Sequence, residues 1–174
     1  MNGVCDLLRE IDRHAFDHDL AGADRFYAKM AETAPGIYKA AALQLESEAL
    51  YGQGDAKGAL AKLDAAAAAT HDKFLADAAR LKAAYIAADL QDYKTVKPRL
   101  DALIKDSGPL SYEAREVLGA KAYEAGDLAQ AREQFNFLSL ALEAPEGVRR
   151  RAQSALSVIG SGEAQAPAKP GVAK

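Results

Sequence analysis

The sequence predicts an all-α fold made of stacked helix pairs. Three observations carry that prediction. Forty of the 174 residues are alanine, about 23% and roughly three times ordinary usage. Alanine is the best helix former and a poor strand residue. No run of Val and Ile is long enough to be a buried parallel strand, which argues against a doubly wound sheet. Finally, Asp19, Asp55, Asp92 and Asp127 recur at separations of 36, 37 and 35 residues. Each follows one amphipathic segment and opens another, and a period of this length marks a helical repeat.

The elements follow from that period. In the first unit (1–35) the spacing predicts helices over 4–17 and 20–33, with Asp19 between them. The second unit (36–70) opens after Pro35-Gly36, with helices over 37–53 and 56–69. Gly54 can take the left-handed conformation that ends the first helix, and Asp55 caps the second. The third unit (71–108) follows Thr70-His71, with helices over 72–90 and 93–105. Its first helix carries two apolar stripes, Phe74/Ala78/Leu81/Tyr85/Ala88 and Leu75/Ala79/Ile86/Leu90, as a helix covered on two sides would. Pro98 either kinks the second helix or starts it, leaving 93–97 as a turn. The fourth unit (109–145) follows Ser107-Gly108-Pro109, with helices over 111–125 and 128–143 around Gly126-Asp127. A last helix over 146–159, after Ala144-Pro145, reads as a cap on the stack. Residues 160–174 lose periodicity and read as a disordered tail.

A packing code sits on this frame. Four residues beyond each aspartate lies Ala23, Ala59, Val96 or Ala131, and four further lies Tyr27, Leu63, Leu100 or Phe135. That is one helix face. The small residue admits the neighbouring helix and the large one fills the hole beside it. Only Ala65 to Ala69 and the tail alanines fall outside the code. The four aspartates could be misread as an acidic or metal site, but their regular spacing makes them structural helix caps.

Net charge is −3, from 22 basic and 25 acidic residues. That argues against nucleic acid as a partner. Arg149-Arg150-Arg151, the one dense basic run, reads as a solvated helix face. A lone Cys5 excludes an internal disulfide. The longest uncharged run, 153–162, is far short of the ~20 apolar residues that cross a bilayer. His14 and His18 stand at a spacing that can bind zinc. No Glu between them serves as a base, Cys5 is distant, and His14 falls on a packing position, so no metal is expected. Residues 52–58, Gly-Gln-Gly-Asp-Ala-Lys-Gly, lack the order and the preceding strand of a phosphate loop. No Ser, His and Asp set suggests a nucleophile. The expectation is no enzyme and no cofactor.

Leu118-Gly119, Ala122, Gly126-Asp127, Ala131 and Phe135 resemble the tetratricopeptide repeat (TPR), and Pro35 resembles its terminal proline. There is no Trp and the other units keep part of the pattern, so the resemblance is to the TPR-like class. It implies a right-handed superhelix of about four antiparallel helix pairs plus a C-terminal capping helix. Three stretches within residues 19–159 carry a narrower resemblance: Asp77-Ala78-Ala79-Arg80-Leu81-Lys82-Ala83-Ala84, Glu113-Ala114-Arg115-Glu116-Val117-Leu118-Gly119, and Ala144-Pro145-Glu146-Gly147-Val148-Arg149-Arg150-Arg151-Ala152. Together they look like the TPR-like domain of bacterial membrane-anchored ancillary subunits of the Sec translocon. The resemblance implies a periplasmic scaffold tethered to the inner membrane. Translocon subunits, periplasmic chaperones and their clients would be its partners. The anchor itself is absent from this chain. A cytosolic TPR adaptor is the alternative.

In TPR-like repeats the first helix of each unit lines a concave groove. By that mapping Gln44, Glu48, Tyr51, Leu81, Tyr85, Glu113, Glu116 and Tyr123 face it. Tyrosine offers large contact area, a polar tip and little rotamer entropy. The expectation is a partner-binding groove of three tyrosines with an acidic rim. The plainer alternative is that the three rings only pack against neighbouring helices.

Overall fold

A computed structural model of the chain describes residues 20–165, with side chains through 161. The expected helix over 4–17, Asp19, His14, His18 and Cys5 lie outside the described residues. Those residues form eight helices and no strand. They divide into two compact lobes, one up to Gln91 and one from Asp92 onward.

In the first lobe, α1 (Leu20–Thr33), α2 (Gly36–Gly52), α3 (Ala56–Ala68) and α4 (Lys73–Leu90) pack each against the next, and α2 also touches α4. The code of small and large residues holds here: Ala23, Tyr27, Ala59 and Leu63 are all buried. Alanine does more than that code assigns it. Ala66 and Ala67 belong to a core cluster with Ala31, Ala42, Leu43 and Ala79, so the run 65–69 is not plain composition. In α4 the contact is also made by alanines. Ala79, Ala83, Ala84 and Ala87 have no exposed surface, whereas Phe74, Tyr85 and Leu90 of the expected stripes are exposed. Small side chains bring the backbones together, and the bulky neighbours are left at the edges of the contact. Ser47 ties α2 to α3 by donating to the Ala59 carbonyl at 2.9 Å. Glu46, buried, meets Lys62 at 2.5 Å between the same helices.

In the second lobe, α5 (Tyr93–Lys105), α6 (Ser111–Glu124), α7 (Leu128–Leu140) and α8 (Glu146–Gln165) pack in the same sequential way, and α6 also touches α8. Val96, Leu100, Ala131 and Phe135 are buried. Phe135 and Leu138 join Val148, Ala152 and Ile159 in one core. α5 starts at Tyr93, so Pro98 lies inside it. The carbonyl that Pro98 leaves without a partner belongs to Lys94, which is exposed to water. α7 stops at Leu140, three residues before the expected end. α8 runs on through Gln165, so the expected tail is helical to that point. Gly160 to Gly162 do not break it.

Three of the four repeat aspartates are helix caps. Asp55, Asp92 and Asp127 accept from the backbone N–H of Gly58, Thr95 and Gln130 at 2.9, 2.8 and 3.1 Å. Asp72 caps α4 in the same way, accepting from Leu75 at 2.9 Å. It stands just before the helix, where the pattern predicts the first helical residue.

Candidate functional site: a tyrosine-edged cleft

Three of the expected groove residues converge in the first lobe. Glu48 and Tyr51, one turn apart on α2, and Tyr85 on α4 line a cavity of about 470 Å³ floored by Leu63 of α3. The reason is periodicity. Positions 48 and 51 lie on one helix face, and the direct contact between α2 and α4 turns that face toward Tyr85. Tyr51 is 50% exposed and Tyr85 is 45% exposed, so both rings present surface to an incoming group. Glu48 and Lys82 pair across the opening at 2.8 Å. Their charges cancel, and Asp89 at the end of α4 also lines the cleft. Glu48 is felt beyond the cleft: burial first, and then its charge, push the Tyr27 hydroxyl above its ordinary range.

The remaining expected residues separate. Gln44 is half-buried on α2 and does not line the cleft. Leu81 is 7% exposed, a correction to its groove assignment: it lies one turn before Tyr85, on the side of α4 that the alanine contacts bury. Tyr123 sits in the second lobe, 42% exposed, on a cavity of about 340 Å³ with Phe135, Val158 and Ile159. Glu116 does not offer a free acidic rim either. Arg151 of α8 holds it through two hydrogen bonds, 2.5 and 2.7 Å. Glu113 is half-buried, and one of its carboxylate oxygens has no partner among the described residues.

The basic run is also engaged. Arg149 donates to the carbonyls of Leu142 and Ala144 at 2.8 and 2.9 Å, holding the turn into α8. With Arg151 on Glu116, Arg150 alone keeps the solvated role expected of all three. The residues that the sequence reading missed are Lys82 and Asp89. Their signal was present, since each lies three or four residues from Tyr85, but a groove sought as tyrosines and acids passed over the lysine.

Chemically the cleft is apolar at its floor and aromatic at its edges. The one serine on its wall, Ser47, is committed to a backbone carbonyl. Among the described residues no three His, Cys, Asp or Glu side chains cluster as metal ligands. No described helix is long and apolar enough to cross a membrane. No family model, curated protein or solved structure matches the chain.

Proposed function

We propose that this chain is a non-enzymatic protein–protein interaction scaffold of the TPR-like class, with its helix pairs arranged as a right-handed superhelix. The cleft of the first lobe grips a segment of a partner polypeptide. The observation that carries the reading is the convergence of Glu48, Tyr51 and Tyr85 on one cleft with an apolar floor. Half-exposed tyrosines over an apolar pocket suit a peptide, whose side chains fill the pocket while its backbone bonds to the hydroxyls. The sequential packing of short-turned helices and the repeated geometry of the aspartate turns support the repeat class. The motif resemblance supplies the setting, the periplasmic face of the inner membrane beside the Sec translocon, its chaperones and their clients.

A photo-reactive side chain placed at Tyr85 in the native gene tests this. Crosslinks to translocon subunits, chaperones or exported chains are expected, and a reactive group at exposed Lys57 should not give them. Replacing Tyr51 and Tyr85 together by alanine should abolish partner capture while helicity is kept. Unchanged capture would refute the groove. Crosslinks only to cytosolic proteins would refute the translocon setting and favour the cytosolic adaptor.

A further inference from the structure

The cavities of the two lobes occupy matching positions in the sequence. Tyr51, Gly52 and Leu63 of the first precede Tyr123, Glu124 and Phe135 of the second by 72 residues. Lys82, Tyr85 and Ile86 precede Ala155, Val158 and Ile159 by 73. The turn that joins wall to floor is repeated as well. Gly54 and Gly126 have φ of 87° and 79°. Each donates to the carbonyl of the tyrosine three residues back, at 3.0 Å in both cases. Asp55 donates to Leu50, and Asp127 to Ala122, at 2.9 Å in both. The shift of 72–73 residues is two repeat units. α8 therefore stands in register with α4. The helix expected only as a cap forms the far wall of a second cleft.

The copies differ in charge. Where the first has Glu48, Lys82 and Tyr85, the second has Ala120, Ala155 and Val158. Glu124, the one charged residue on the second, is held by Lys121 at 2.7 Å. On the first, the Glu48–Lys82 pair is neutral in sum, and Asp89 has no ion pair among the described residues. A cation arriving beside the first cleft meets an uncompensated carboxylate, and one arriving at the second meets a carboxylate already paired.

Building on the peptide-binding reading above, we propose that the chain carries two copies of one cleft for an aliphatic side chain of an extended polypeptide. The first prefers a segment with Lys or Arg beside that side chain, because Asp89 complements the added charge. The second reads the aliphatic group alone.

The test uses the full chain, labelled with nitrogen-15, and two peptides, Ser-Gly-Leu-Leu-Lys-Gly-Ser and the same peptide with Gln for Lys. Both should shift the amide signals of Gly52 and of Glu124. At Gly52 the lysine peptide should bind about two- to fivefold tighter, the reach of one exposed charge pair. Asp89→Asn should erase that preference without changing binding at Glu124. Shifts at Gly52 alone would overturn the second copy and leave the proposed function standing. Equal affinities at Gly52 would overturn the charge preference. No shift at either place would remove both this inference and the peptide-binding function beneath it.

Discussion

Replacing Gly119 by alanine should destabilise the protein, although the same change in an open helix stabilises. In a helix interior alanine is favoured over glycine by about 1 kcal/mol. Gly119, however, is buried in α6, and an added Cβ would stand 3.0 Å from Phe135 Cζ and 3.1 Å from Cε1 and Cε2. The methyl would meet the tip of the ring. That ring is 5% exposed and packed among Leu138, Val148 and Ile159, so moving it away from the methyl disturbs those contacts. Overpacking a well-filled core costs about 1–3 kcal/mol. Set against the propensity gain, the net loss is about 1 kcal/mol, or roughly 2–4 °C in a chain of this length. Urea unfolding followed by far-UV circular dichroism measures it. Phe135→Leu removes the ring tip. In that background Gly119→Ala should turn neutral or stabilising, giving a coupling of about 1–2 kcal/mol between the sites. A Gly119→Ala chain as stable as the open-helix value predicts, and equally so in both backgrounds, would refute the close approach of α6 and α7.

Asp127→Ala and Asp55→Ala should each cost about 1 kcal/mol in urea unfolding, because each leaves a helix N-terminus without its acceptor. Gly126→Ala should cost about 1–2 kcal/mol through backbone strain alone, since φ is 79° and a Cβ there meets nothing within 4 Å. Gly126→Asn should be milder, as asparagine tolerates the left-handed region. Asp77 supplies a pH test. Burial pushes its carboxyl up, but hydrogen bonds from Lys73 and Arg80 at 2.6 and 2.7 Å outweigh that and hold it below its ordinary value. A carboxyl depressed in the folded state contributes stability above its unfolded pKa, near 3.9, and loses it as pH falls through the folded value. Asp77→Asn should therefore lower stability at neutral pH and flatten its fall below about pH 4. An unchanged acid limb would contradict the Lys73–Asp77–Arg80 arrangement.

The helices of this protein are legible in its sequence because their punctuation is local. A glycine with positive φ and an aspartate acting three residues ahead need no distant partner, so Gly54-Asp55 and Gly126-Asp127 could be read directly. α5 matches its expected bounds to the residue, and α1 its expected end. Side-chain direction was less legible. Leu81 and Tyr85 lie four residues apart, yet one is buried and the other exposed. In α4 alanines form the seam, so the large residues do not mark the buried side as hydrophobic patterning assumes. Glu116 was read as an acidic rim because its partner, Arg151, lies 35 residues away on another helix. The cleft was half legible: the mapping found Glu48, Tyr51 and Tyr85, and charge pairing across helices hid Lys82.

The register between α4 and α8 also shows where the two helices part company. On one face the two helices agree. Ala79 and Ile86 of α4 correspond to Ala152 and Ile159 of α8, and Leu75 to Val148. Those three residues of α8 are buried. On the other face they diverge. Leu81, Ala84 and Ala88 are buried in α4, and their counterparts are Ser154, Ser157 and Ser161, all exposed. Three apolar-to-serine changes thus fall on a helix that otherwise keeps the pattern of α4. α8 thus matches α4 on its buried side and departs from it on its exposed side. The hydroxyls distinguish them: each serine takes up little more room than an alanine, yet supplies the hydrogen bonding that an exposed helix face needs and a buried alanine seam does not.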